Sequence, residues 1–260
     1  MNRRDFLTGS VAASTLAALS APAAEQKSTQ EYYQLRVYRL KPDADTSLLN
    51  QYLEKAAIPA LNRIGIKPVG VFNETDAKAD PAVYVLVPYP SFEMIATIPA
   101  RLRADADYMS AGADYLQTPK SKPAYLRIDT WLLRAFAGIP KIELPSFSKE
   151  KKERIFELRT YESYSETKAQ KKVDMFNDGE IQLMREVGLN PIFFGQALIG
   201  ANLPHLTYML SAETREAHKQ HFDTFGKHPK WKEMSSDPQY ADTVSKISNH
   251  FLAPAPFSQI

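Results

Sequence analysis

The sequence predicts an α+β fold in which two ferredoxin-like βαββαβ units of one chain pair into a barrel. Three observations predict it. A Leu-Arg-x-Tyr segment occurs twice, as Leu35-Arg36-Val37-Tyr38 and Leu158-Arg159-Thr160-Tyr161, at an offset of 123 residues (159 − 36 = 123). The same offset carries Gly65 onto Gly188, Pro68 onto Pro191 and Tyr108 onto Trp231. Within each copy, period-two and period-3.6 stretches follow the order strand, helix, strand, strand, helix, strand. A repeat at fixed offset must be sought first, because missing it mis-assigns the fold.

The first unit spans 31–136. Tyr32–Leu40 alternates as a strand, and Asp45-Thr46-Ser47 is a helix-start cluster. Leu49, Tyr52, Leu53, Ala56, Leu61 and Ile64 then follow helical spacing, with Pro59 predicting a kink. Gly65 falls just past that helix, where a left-handed turn is wanted. "KPVGVF" and "AVYVLV" read as the next strands, Phe92 to Leu116 as the second helical region and "AYLRIDTWLL" as the closing strand. The second unit, 154–260, repeats the order: "IFELRTY", a helix carrying Val173, Phe176, Leu183, Met184 and Val187, then Gly188. "NPIFFGQALI", "HLTYML", a helical region from Glu213 to about Met234 and "SKISNHFLA" complete it. Residues 137–153, with two prolines and a charge cluster, read as a linker.

Composition is that of an ordinary globular chain: 260 residues, 44% hydrophobic, 24% charged, 11% aromatic. Net charge is +2 with the signs well mixed, and no basic stripe points to nucleic acid. The absence of cysteine rules out disulfides, thiolate chemistry and cysteine-ligated metals. No Gly-rich phosphate loop, G-x-S-x-G or paired metal-ligand spacing is present, which disfavours a nucleotide-dependent enzyme. No cofactor or metal is indicated.

The N-terminus is distinct. Arg3-Arg4 precedes Asp5-Phe6-Leu7 and a mildly apolar Ala/Ser-rich run, and Ala21-Pro22-Ala23 offers a small-x-small cleavage site. This resembles a twin-arginine export signal over 1–23. It predicts a periplasmic or otherwise extracytoplasmic protein with no membrane span in the mature chain.

Strand alternation sorts side chains into faces. Tyr33, Leu35 and Val37 oppose Gln34, Arg36 and Tyr38. Phe156, Leu158 and Thr160 oppose Glu157, Arg159 and Tyr161, and Leu126, Ile128, Thr130 and Leu132 oppose Tyr125, Arg127, Asp129 and Trp131. With the apolar face laid under the helices, the mixed face would line the barrel interior. A buried arginine needs an acid, a carbonyl or an anionic ligand, and Glu157 and Asp129 are candidate internal partners. The ligand-binding candidates are Arg36, Tyr38, Arg127, Asp129, Arg159 and Tyr161, with His250 on the last strand and Trp231 as a stacking wall. The competing role for Trp231 is helix packing, and for the arginines purely structural ion pairing. His218 and His221 with His228 make a weak metal pattern; an amphipathic helix face explains the first two as well. A haem ligand at His250 competes with many duller roles.

The Leu-Arg-x-Tyr strands, the Gly-x-x-Pro turns, "HPKW" at His228 to Trp231 and the ending "FLAPAPFSQI" resemble the NIPSNAP family, within the dimeric α/β-barrel superfamily. The match is clearest in the second unit; the first has Tyr108 for tryptophan and lacks the Pro-Phe-Ser ending. The resemblance implies paired ferredoxin-like units but no reaction. Members elsewhere are tied to mitochondria, vesicles and protein contacts, and superfamily neighbours include cofactor-free oxygenases and haem enzymes. Three functions follow as expectations: binding of a small polar or aromatic molecule inside the barrel, cofactor-free oxygenation using Tyr161 or His250, or an interaction module without a pocket. Assembly into a homo-oligomer is left open.

Overall fold

The computed structural model describes residues 30–260. The segment read as an export signal, with Arg3, Arg4 and the expected cleavage site after Ala23, lies outside the described residues. In the first half the order is β1 (Tyr32–Arg39), α1 (Ser47–Tyr52), α2 (Ile58–Arg63), β2 (Gly70–Glu74), β3 (Ala82–Tyr89), α3 (Phe92–Ala104), α4 (Ala106–Ala111), α5 (Ala113–Leu116) and β4 (Arg127–Ala135). The short helix α6 (Ser146–Lys149) sits in the connection. The second half has β5 (Ile155–Glu162), α7 (Glu166–Met175), α8 (Ile181–Glu186), β6 (Pro191–Ile199), β7 (His205–Ala212), α9 (Arg215–Lys227), α10 (Pro229–Ser236) and β8 (Lys246–Pro254). Among the described residues, no helix is long and apolar enough to cross a membrane.

Local chemistry accounts for the element ends. Asp45 Oδ1 accepts from the Ser47 N–H at 2.8 Å to start α1. Ser165 and Thr214 cap α7 and α9 through the N–H groups three residues on. Gly65 and Gly188 take φ of +83° and +85° just past their helices, the left-handed conformation that glycine adopts without a Cβ penalty. The kink predicted at Pro59 takes the form of a π-helical turn, Leu53–Ala57, immediately before it. The same turn recurs at Phe176–Glu180, where no proline follows in α8. Proline is therefore compatible with the turn rather than its cause.

The offset of 123 holds from β1 through α4: β5, β7, α9 and α10 begin 123 residues after β1, β3, α3 and α4. It then slips. β8 begins 119 residues after β4 (246 − 127 = 119), so Trp131 corresponds to His250. The registers agree, since Leu35 faces Trp131 across β1·β4 and Leu158 faces His250 across β5·β8.

The eight strands close into one antiparallel barrel in the order β1-β3-β2-β8-β5-β7-β6-β4. Each half contributes a four-stranded sheet, and two seams join them. β2 pairs with β8 (Phe72 opposite Pro254, Glu74 opposite Leu252), and β4 pairs with β6 (Ala135 opposite Gly195). The C-terminal residues strap the first seam. Ser258 Oγ accepts from the Val71 N–H at 3.0 Å, Gln259 Oε1 from the Val69 N–H at 2.9 Å, and Ile260 is buried.

The faces of β1 and β5 are the reverse of the expectation. Tyr33, Leu35, Val37, Phe156 and Leu158 point into the barrel, where they join Phe72, Leu86, Leu133 and Met209 in a closed core. Tyr38 packs under the first helices and Tyr161 under the second. The interior has no outlet to water over most of its length, and an unpaired buried charge costs several kcal/mol. The helix side leaves Arg36 and Arg159 half-buried beside the helices and offers Arg159 the carboxylate of Glu157, so it receives the arginines. On β4 the expected division holds: Trp131 and Leu133 face the interior core, and Ile128 packs on the helix side.

The helix layers have diverged. In the second half Lys172 Nζ donates to Glu180 Oε2 at 2.7 Å, with the two side chains 5% and 2% exposed. Burial pushes the Glu180 carboxyl up, against the pull of Lys172. At the 123-residue offset the first half has Leu49 and Ala57, both buried in its helix-side core.

Removing one partner of a buried pair leaves a lone charge and costs about 3–5 kcal/mol, whereas a matched apolar pair is tolerated. We expect Lys172→Leu alone to lose about that much stability in urea unfolding, and Lys172→Leu with Glu180→Ala to recover most of it. At the β4·β6 seam a Cβ on Gly195 would lie 2.7 Å from Leu133 Cβ. Gly195→Ala should therefore cost about 1–3 kcal/mol by overpacking, seen as a lower urea midpoint.

Candidate functional site

The centre of the barrel is filled by side chains, but the mouth where β1 and β5 end is not. A cavity of about 140 Å³ opens there, lined by Leu35, Val37, Arg39, Tyr84, Trp131, Leu158, Thr160, Glu162, His205, Thr207, Ser248 and His250, with Ala201 and Asn202 from the β6–β7 turn. Alternation explains the set: Leu35, Val37 and Arg39 are one face of β1, and Leu158, Thr160 and Glu162 are the corresponding face of β5. Trp131 and His250 are equivalents on the closing strands. The duplicated halves thus build one pseudo-twofold cavity in which Leu35 and Leu158 still match while Arg39 and Glu162, and Trp131 and His250, do not.

His250 is the best-supported group in it. Its Nδ1 lies 2.7 Å from Glu74 Oε2, and the Glu74 side chain is 3% exposed. Glu74 also accepts from Tyr84 O–H at 3.2 Å and from the N–H groups of Thr75 and Asp76 at 2.9 and 3.0 Å. Four donors satisfy the carboxylate and fix its position. Nδ1–H donation to Glu74 leaves Nε2 as the acceptor, which is how a carboxylate orients an imidazole for proton acceptance. Burial, and next the Glu74 charge, push the Tyr84 phenol well above its ordinary value, so it stays protonated as the donor.

A second histidine, His205, lines the same cavity. Burial pushes it below its ordinary value, and its Nε2 is buried without a hydrogen-bond partner among the described residues. The Trp131 Nε1–H donates to the Ala201 carbonyl at 3.1 Å, which pins the indole at the rim. Arg39 Nε donates to Asp129 Oδ2 at 2.8 Å, and Arg127 lies 3.5 Å from the same carboxylate, largely exposed.

Of the residues singled out in the sequence, His250 lines the cavity, and Asp129 and Arg127 form an ion cluster with Arg39 at its edge. Arg36, Tyr38, Arg159 and Tyr161 do not line the interior; they lie between sheet and helices. Arg159 is held by the acid anticipated for it, with Nη1 2.7 Å from Glu157 Oε1. Asp129 serves Arg39 rather than Arg36. Glu157 is itself buried and also bonds Asn249 Nδ2 at 2.9 Å and His218 Nε2 at 2.8 Å. Burial pushes its carboxyl up, but the His218 bond, Arg159 and Asn249 outweigh this and hold it below its ordinary value. The Tyr161 hydroxyl pairs with that of Tyr208 at 2.8 Å, which removes it from any role in the barrel cavity. Trp231 packs on Phe225, centroids 4.6 Å apart, in the outer helix layer. His218 is thus tied to Glu157, and His228 Nδ1 accepts from the Lys230 N–H at 3.2 Å. No group of three or more His, Asp or Glu among the described residues could hold a metal ion.

The sequence does not single out Glu74, Tyr84 or His205, and it places Trp131 on the interior face without assigning it a role. Glu74 reaches His250 only because β2 pairs with β8 across the seam, a contact 176 residues apart in the chain.

Comparison with known proteins follows the same outline. Among curated proteins, none matches the chain. Among solved structures, a protein from Lactobacillus acidophilus provisionally designated a monooxygenase aligns with TM-score 0.56 at 10% identity, over 86% of this chain and 94% of that one. One from Fusobacterium nucleatum with the same designation aligns with TM-score 0.53 at 8% identity, over 87% and 93%. At such identities the likeness is one of fold. A NIPSNAP-like domain protein from Burkholderia xenovorans is 23% identical over 40% of this chain and 88% of its own, with TM-score 0.37. The family model described as NIPSNAP matches two segments, residues 33–120 and 156–259. Together they cover most of the chain, and it belongs to the NIPSNAP family as a tandem repeat of the domain.

Proposed function

We propose that this chain is an exported NIPSNAP protein that takes a small polar or aromatic molecule into the mouth of its barrel. The observation that carries the reading is His250, held by buried Glu74 and facing a cavity walled by Trp131. A cavity of this volume suits about one aromatic ring, since an apolar cavity of about 150 Å³ holds benzene. Trp131 and the two leucines supply the apolar wall. His250 and the unpartnered Nε2 of His205 supply polar contacts. Export is supported by the paired arginines, Phe6-Leu7 and the small-residue cleavage site.

A second reading, a cofactor-free oxygenase, draws on the same pair and on the shared fold with proteins designated monooxygenases. His250 Nε2 would accept a proton from an activated CH2 beside an electron-rich ring. The resulting carbanion reduces O2: the CH2 becomes C=O, one oxygen enters the product and the other leaves as water, with the substrate supplying all the electrons. The reading without a pocket is less favoured, because the barrel has a cavity at its mouth.

Phenol serves as the binding probe, followed by ligand-observed NMR. His250→Ala and Glu74→Gln should each weaken binding about five- to tenfold, the loss of roughly one hydrogen bond. Binding as tight as in the wild type would overturn the assignment. Oxygen uptake with the one-ring substrate 4-hydroxyphenylacetone, whose CH2 lies between ring and carbonyl, absent in His250→Ala, would establish the second reading, and no uptake by the wild type would exclude it for that substrate class. For export, residues 1–30 fused to a fluorescent reporter should deliver it outside the cytoplasm of a bacterium with twin-arginine transport. Arg3→Lys with Arg4→Lys should retain it inside; delivery unaffected by that change would remove the twin-arginine assignment.

A further inference from the structure

We propose a second binding site, on the outer face of the first half, that takes an organic carboxylate with an apolar body and anchors it on Arg36. It stands apart from the barrel mouth and does not rest on that reading.

A groove of about 610 Å³ runs between the helix side of β1, β3 and β4 and the helices α3 to α5. Arg36 and Gln34 lie along it with Tyr52, Tyr89, Tyr115 and Tyr125, and Arg103 also lines it; no Asp or Glu does. Among the described residues Arg36 makes no ion pair. Its Nε is buried without a hydrogen-bond partner. Its guanidinium carbon sits 5.3 Å from the Tyr38 ring centroid, a contact that eases the charge but offers no acceptor to the N–H fork. Gln34 Oε1 is already occupied by the Tyr89 O–H at 3.0 Å, which leaves the Gln34 amide N–H groups free to donate. The polar end of the groove is therefore an array of donors, the arrangement that suits a carboxylate.

The second half shows what such an arginine requires when no ligand is intended. At the 123-residue offset Gln34 becomes Glu157, which neutralises Arg159 at 2.7 Å. Pro99 becomes Phe222, whose ring covers the Arg159 guanidinium at 5.1 Å. One copy carries its own carboxylate and its own lid. The other has neither, and the groove lies open in their place. Tyrosine rings line its apolar length; Tyr52 and Tyr115 stack with centroids 3.8 Å apart and planes at 11°. The volume is within the range of about 300–1,000 Å³ typical of small-molecule sites. Fatty acids and aromatic acids share this chemistry, and the test separates them.

Isothermal titration of the purified protein at low salt would use octanoate and 2-naphthoate, each against its uncharged amide. At least one acid should bind with Kd below about 1 mM, and at least tenfold more tightly than its amide. Arg36→Gln should weaken binding at least tenfold. Gln34→Glu, which installs the carboxylate present in the other half, should do the same while leaving thermal stability unchanged or higher. His250→Ala should bind as the wild type does, which separates this site from the barrel mouth. Should Arg36→Gln fail to fold, Gln34→Glu decides. The proposal is overturned if neither acid binds, if the amides bind as tightly as the acids, if a folded Arg36→Gln or Gln34→Glu binds as well as the wild type, or if His250→Ala loses binding.

Discussion

Closure of the sheet at two seams governs the rest of the molecule. Once β2 pairs with β8 and β4 with β6, no open edge remains and the space between the sheets is cut off from water. A closed interior accepts Leu35, Val37, Phe156 and Leu158 and rejects Arg36 and Arg159. Because side chains alternate along a strand, putting one set inside sends the other set to the helices. The position of each arginine is thus a consequence of barrel closure. So is the seam contact that brings Glu74 to His250, and so is the C-terminal strap, which lets the second half fasten the first.

Duplication then allowed corresponding positions to take separate paths. Trp131 and His250 occupy equivalent places at the mouth, as do Arg39 and Glu162. Under the helices, Leu49 and Ala57 in one half correspond to the Lys172–Glu180 pair in the other, and Gln34 corresponds to Glu157. The exchanges differ in how far they balance, since the Gln34 copy leaves Arg36 Nε without a partner. An apolar pair replaces an ion pair whole, and where Glu157 supplies a charge, His218 and Asn249 take up its remaining lone pairs. A symmetric dimer of identical chains could not vary these positions independently, whereas a tandem chain can place a histidine in one half and a tryptophan at the equivalent position of the other.

Much of this was legible in the sequence. The repeat offset, strand order, helix ends at Gly65 and Gly188, and the barrel itself follow from periodicity and turn chemistry. The pairing of Arg159 with Glu157 follows from two residues on one strand face. The error over faces has a definite cause. Alternation states which side chains travel together, but not which layer covers them; that depends on whether the interior or the helix layer is drier. In β1 the mixed Arg/Tyr face resembles a ligand-lined interior, and the apolar face suits a dry helix layer. On β4 the face with Arg127, Asp129 and Trp131 is inward as expected, because its register places these residues opposite Arg39, Val37 and Leu35, the inward face of β1. Glu74 and the equivalence of Trp131 with His250 were hidden for another reason. The first depends on a seam far apart in sequence, the second on a four-residue slip between α10 and β8 that no constant offset reveals.

The mouth stays open for a reason distinct from chance underpacking. A void at the barrel centre would be closed by larger apolar side chains, as Phe72, Phe156 and Phe193 close it. At the mouth the inward positions are Arg39, Glu162, His205 and His250. A leucine filling that space would strand His205 further and press apolar surface on Arg39 and Glu162, whose partners Asp129 and Lys246 lie toward the rim at 2.8 and 3.3 Å. Stranding a buried polar group costs about 1–3 kcal/mol, comparable to what burying the leucine would return. The balance leaves a small space with polar walls, filled at no net gain by the chain's own side chains but available to a molecule that brings hydrogen bonds of its own.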